Sequence, residues 1–197
     1  MIEDGERFYR QNEHEHDPSE IKKFSDEARA SLIGQGFAID VLTGQSIFSF
    51  RESGAIFFWA NWHKNEPDLE NIPSMKSEVA IKPTALFLPG SNNRSLPEQV
   101  EMTSKFSKEL SGQIPGVEAV MGGMADYVDL FSTRILNHDF DIGLDNNYDF
   151  ARSNTVTSDN KSVEVGLFHP MFGIRVFRDD PLEVSAYKFA APLVIPK

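Results

Sequence analysis

The sequence predicts an α+β fold with mostly antiparallel strands in a mixed sheet or sheets, about three helices and a single compact domain. Short apolar runs with alternating character cluster together between turn residues and do not alternate one for one with helices, which argues against a doubly wound parallel sheet. Two helix starts are written in capping chemistry, at Asp17–Glu20 and Ser95–Glu98. The chain has 197 residues, 40% of them hydrophobic, enough for one domain with a proper core. Sixteen phenylalanines are the expected bulk of that core.

Residues 1–16 read as a charged, poorly ordered leader, and 17–197 as the domain. Asp17, Pro18 and Glu20 open a predicted helix over 18–33, because Ile21, Phe24, Ala28 and Leu32 fall on one face and Gly34 ends it. Phe37, Ile39 and Val41 alternate as a strand, Ile47 to Phe50 reads as a second and Ala55 to Trp62 as a third. The third is apolar on both faces, which places it centrally in a sheet. Polar residues from His63 to Ser74, with Pro67 and Pro73, read as a surface loop, and a break between two lobes would fall near 63–76.

Glu78 to Lys82 and Ala85 to Leu88 read as short strands around Pro83. Pro89 to Ser95 is a loop, after which Leu96, Val100, Thr103, Phe106 and Leu110 line a helix ending at Gly112. Val117 to Met121 is a strand, and Ala125, Val128, Phe131 and Ile135 mark a third helix. Phe140 to Leu144 alternates as a strand before the turn at Asp145-Asn146-Asn147. Residues 152–161 lack periodicity and read as a flexible loop. Val163 to Phe168, Phe172 to Phe177 and Ala186 to Val194 complete the strands.

The formal charge is −11, from 30 acidic against 19 basic residues, which argues against nucleic acid and anionic membranes as partners. Without cysteine there is no disulfide, thiolate metal site or thiol nucleophile. Met1 to Arg7 lacks the basic start and apolar run of a secretory leader, so the expected location is cytoplasmic. No cofactor is expected, since nucleotide-binding loops, metalloprotease helices and nucleophile elbows are all missing.

Four groups of residues carry candidate chemistry. Ser91, Asn92, Asn93, Arg94 and Ser95 lead into a capped helix, whose free N–H groups and an arginine suit a phosphate, carboxylate or sugar. Trp59, Trp62 and His63 close an apolar strand and form a stacking platform or a partner hot spot, unless the indoles are core packing. Asp139, Asp141 and Asp145 have the oxygen ligands of a hard-cation loop, but Leu144 and Phe150 stand where a calcium loop needs glycine and glutamate. Alternation alone accounts for these aspartates as a wetted strand face. His138 beside Asp139, with His169, is the candidate general base.

The composition favours a non-catalytic binding or regulatory module. It would engage a basic or neutral protein partner, or a small anionic or polar ligand. An enzyme of unfamiliar type using a His/Asp site is the alternative, and a structural assembly subunit is a third reading.

Overall fold

The computed structural model describes residues 20–54, 57–59, 66–137, 149–168 and 173–197. The leader at 1–16 and the strand at 140–144 lie outside them. In chain order the elements are α1 (Asp26–Gly34), β1 (Ala38–Thr43), α2 (Ile47–Glu52), β2 (Phe57–Trp59), α3 (Pro67–Glu70) and β3 (Lys76–Ile81). Then follow α4 (Leu96–Gln113), β4 (Val117–Met121), α5 (Met124–Leu136), β5 (Phe150–Val156), β6 (Ser162–Phe168), β7 (Gly173–Asp179), β8 (Lys188–Phe189) and β9 (Pro192–Pro196). The fold is α+β, as the sequence predicts.

Two sheets face each other across α5. The four-stranded sheet runs β1-β3-β9-β4, antiparallel throughout. The five-stranded sheet runs β2-β7-β6-β5-β8, with β2 parallel to β7, β8 parallel to β5 and the other pairs antiparallel. Leu42, Val79, Ile81 and Leu193 of the first sheet meet Ala151, Val163, Val165, Ile174 and Val176 of the second in one apolar cluster. Met124, Tyr127, Val128, Leu130 and Phe131 of α5 fill the space between them. A helix covered on both sides buries residues all round, whereas one covered on one side buries a stripe. This is why α5 hides nearly every residue from Met124 to Ile135. On the outer face of the first sheet, Phe24, Leu32, Leu110 and Ile114 build a second core under α1 and α4.

The three predicted helices are α1, α4 and α5, but α1 starts at Asp26, not at 18. Ser25 is its cap, with Oγ accepting from Ala28 N at 3.1 Å. The residues before it run beside β3, where Lys22 N donates to Lys76 O and Glu78 N to Lys22 O. That pairing takes the backbone bonds a longer helix would need.

Five further expectations are corrected. Residues 47–50 are helical, because Ser46 caps Ser49 N and the Ile47–Phe50 spacing buries both on one side. Among the described residues β2 pairs with β7 alone, an edge position and not a central one. Residues 85–88 form no strand, since Pro83 opens a 3-10 turn over Pro83–Ala85. The region 152–161 is the end of β5 and a hairpin turn, with Arg152 and Ser153 fully buried. Finally, 186–194 is two strands in different sheets. The chain crosses between them at Ala190 and Ala191, both buried, where Tyr127 Oη donates to Ala191 O at 2.6 Å. No helix among the described residues is long and apolar enough to cross a membrane.

Candidate functional site

The second sheet has an inner face packed on α5 and an outer face set by the period-2 alternation of its strands. Phe150 and Arg152 of β5, Glu164 and Gly166 of β6, and Arg175, Phe177 and Asp179 of β7 share that outer face. The register places Arg152 opposite Glu164 and Glu164 opposite Phe177. Gly166 is opposite Phe150, and a Cβ there would lie 2.7 Å from the Phe150 ring and 2.9 Å from Asp149 O. Glycine therefore lets the ring lie flat on the strand, and Phe177 meets it edge-on with centroids 5.3 Å apart.

An outer face normally keeps its charges in water. Here the segment 180–188 folds over part of it. Arg152 donates from Nη2 to Glu183 O at 2.8 Å and from Nη1 to Arg94 O at 3.1 Å. Lys188 Nζ then stands 2.6 Å from Asp179 Oδ2, 3.2 Å from Glu164 Oε1 and 3.4 Å from Glu183 Oε1. Arg152 Nε is 3.5 Å from the same Glu164 oxygen. Neither contact to Glu164 Oε1 has hydrogen-bond geometry, so that buried oxygen and Arg152 Nε attract each other only through charge. The result is a charged hub under a cleft of about 290 Å³, lined by Phe150, Phe177 and Tyr187 with Arg175 and Arg178.

Burial raises the Glu164 carboxyl against the pull of Lys188 and Arg152. Burial would also lift Asp179, but bonds with Glu183, Lys188 and the Asp180 N–H outweigh it and bring the carboxyl down to about 2. The Asp179 carboxyl beside Glu183 pushes that group up. Lys188 is raised because its carboxylate partners outweigh burial. It is therefore a fixed ammonium and not a free amine nucleophile.

The predicted anion loop lies beside this hub. Asn93 N donates to Ser185 O at 2.8 Å and Leu96 N to Pro181 O at 2.8 Å. Ser91 is fully buried, its Oγ accepting from Ala190 N and its carbonyl from Gln99 Nε2. Asn93 holds a left-handed backbone with φ of 55°. The start of α4 is occupied from within, because Ser95 N and Oγ both donate to Glu98 Oε2. The Ser95 N–H, with the hydroxyl and Arg94, lowers Glu98, so a carboxylate already sits where an external anion would. Asn92 is half-buried, and Asn93 and Arg94 are exposed, Arg94 3.3 Å from Glu98.

Trp59 contributes backbone to β2. Trp62, His63, His138, Asp139, Asp141, Asp145 and His169 lie outside the described residues. Among the described residues no three metal-ligating side chains converge. Asp126 and Asp129 of α5, acidic residues of the same stretch of sequence, are buried hydrogen-bond acceptors. Asp126 takes Met75 N and Gly123 N, and Asp129 takes Thr43 N and Ser74 Oγ.

The hub residues Arg152, Glu164, Asp179, Glu183 and Lys188 escape a reading by motif, since nothing in their spacing marks them. A signal exists for Glu164 alone, which sits in the polar phase of the alternating strand 163–168; Arg152 falls at the start of a stretch without periodicity, so its pairing leaves no trace in the sequence.

Compared with protein-family models, with curated proteins and with solved structures, the chain matches none.

Proposed function

We propose that this protein is a non-catalytic binding module that takes up an apolar, basic segment of a partner protein on the surface formed by residues 177–187. The observation that carries this reading is the concentration of exposed apolar side chains there. Phe177 is 40% exposed, Leu182 70%, Val184 56% and Tyr187 55%. Clustered apolar exposure is the mark of a contact surface, while scattered apolar residues are ordinary. Asp179, Asp180 and Glu183 interleave with them, so cationic side chains beside apolar ones are the complement.

The segment is also held in advance of binding. Arg152 and Lys188 fasten it to the sheet, and backbone bonds to Pro181 and Ser185 fasten it to the start of α4. A surface that is already ordered loses little entropy when a partner arrives. The net charge of −11 adds a long-range pull on basic partners that salt would weaken. Binding is favoured over catalysis because Lys188 and the acids Glu164, Asp179 and Glu183 hold one another.

The test is selection from a random peptide display library. Wild-type protein enriches sequences that combine Leu, Phe or Trp with Lys or Arg, and their affinity falls as sodium chloride rises. Leu182→Ser/Val184→Ser enriches none of them. Failure of the wild type to enrich any peptide, or enrichment of acidic ones, overturns the reading.

A further inference from the structure

A second concavity, sharing no lining residue with the first, lies against the outer face of the first sheet. It is a groove of about 220 Å³ between the 82–89 segment, α4 and the start of β9. Its walls include Phe37, Phe87, Leu88 and Phe106, with Phe87 fixed by stacking on Phe189 at 4.5 Å. One charge stands in it. Lys82 Nζ is 4.9 Å from the Phe37 ring centroid, and among the described residues Lys82 makes no ion pair. In a chain with eleven more acids than bases, an ammonium over an apolar groove that no described carboxylate pairs is a place for an external anion.

We infer that this groove binds a small monocarboxylic acid with a compact apolar body, the body between the aromatic walls and the carboxylate on Lys82. Size and polarity select that class. The volume is below the roughly 300–1,000 Å³ of pockets for drug-sized ligands. The walls offer few N–H donors to a peptide backbone: Leu88 N donates to Ala190 O, Ala85 N to Lys82 O and Phe37 N to Leu32 O, and Pro89 and Pro192 have no N–H. A ligand whose only polar group is one anion therefore loses least on entering. The phenyl or short alkyl body replaces water on the rings, and the carboxylate gains a charge-assisted bond. This site is separate from the 177–187 surface, so either can fail without the other.

The test is calorimetric titration with 4-phenylbutanoate and with its uncharged amide. The acid binds, and the amide binds about tenfold more weakly because it forgoes the charged contact. Lys82→Met, which keeps the length of the side chain, brings the acid down to the level of the amide and leaves the amide unchanged. Ala85→Trp, at an exposed position on the rim, blocks both ligands while the melting temperature holds. Equal binding of acid and amide, an acid indifferent to Lys82→Met, or no binding at millimolar ligand overturns the assignment. So does a peptide ending in phenylalanine that binds through Lys82 more tightly than phenylbutanoate, since that gives the groove to a protein partner.

Discussion

Arg152 Nε and Glu164 Oε1 face each other across β5 and β6 at 3.5 Å, both side chains almost wholly removed from water. A buried charge left without its partner is far more costly than a pair removed together. Glu164→Ala should therefore lower stability by about 3–5 kcal/mol, read as a fall in the urea midpoint at unchanged slope. Arg152→Leu should also destabilise, and further loosen 181–185, because Arg94 O and Glu183 O lose their donor. In a double-mutant cycle the two changes should couple by about 1–3 kcal/mol. Additive losses would mean that the contact is incidental.

Asp179 gives the hub an acid limit. Its carboxyl is held at about 2 in the folded chain, below its ordinary value, so it binds protons less readily folded than unfolded. Its contribution is complete above the usual aspartate range and disappears as pH falls through that range toward 2. Glu164 has the opposite sign: burial raises it, so its contribution is present at low pH and lost as pH rises through the raised value. The urea midpoint of Asp179→Asn should therefore fall less steeply than wild type between pH 4 and pH 2. Glu164→Gln should flatten the profile above the glutamate range. Unchanged profiles in both variants would separate these groups from stability.

Gly166 is required by contact and not by backbone angle. A Cβ there would lie 2.7 Å from Phe150 Cδ1, which can move, and 2.9 Å from Asp149 O, which cannot without shifting the strand. Gly166→Ala should destabilise by about 1–3 kcal/mol and tilt the Phe150 ring off β6, opening the floor of the cleft. Aromatic ring-proton shifts of Phe150 and Phe177 would report the tilt. Wild-type shifts together with wild-type stability would show that the strand absorbs the methyl group.

The elements legible in the sequence are those whose local chemistry and tertiary setting agree. The Ser95–Glu98 cap and its apolar stripe give α4, and the alternation of Val163 and Val165 gives β6. Where the two disagree, tertiary structure decides. Phe24 belongs to the helical spacing of the predicted 18–33 helix, yet its N–H bonds to Glu78 Oε2, and the helix starts only after it. Ala186 to Val194 is one apolar run by composition, but Ala190 and Ala191 are small enough for the chain to change sheets there. Glu164 looks like a solvated charge by alternation and Arg152 like part of an aperiodic loop, and the cover of both comes from a segment 19 and 31 residues onward, at Glu183. Such cover is non-local, so no periodicity records it. The exposed Leu182 and Val184 were equally silent, since apolar residues near a turn do not announce which way they face.

Asp129 joins α5 to the loop between α3 and β3 and to the end of β1. Its fully buried carboxylate accepts from Thr43 N at 2.7 Å and from Ser74 Oγ at 2.5 Å. Asp129→Ala orphans a backbone donor and a hydroxyl in the interior, at about 1–3 kcal/mol for each. Asp129→Asn keeps one acceptor oxygen and should lose less. Hydrogen exchange should locate the damage at Thr43 and Ser74, with α4 unaffected. Uniform loss of protection would assign Asp129 to global stability and not to this joint.

The contact surface makes the sharpest separation between stability and function. Leu182 and Val184 are more than half exposed, so serine at either position removes little buried area, and changes at such sites usually stay within about 0.5 kcal/mol. The melting temperature of Leu182→Ser/Val184→Ser should therefore match wild type. Peptide binding, however, draws on these side chains becoming buried against a partner, where each removes apolar area worth about 1.5–3 kcal/mol. Even half of that amount from each is roughly a fourfold to tenfold loss per residue. Tyr187→Ala should add to the loss, because aromatic anchors carry a large share of interface energy. A variant that keeps both its stability and its peptides would show that the exposed apolar cluster is bystander surface, and the binding reading would fall with it.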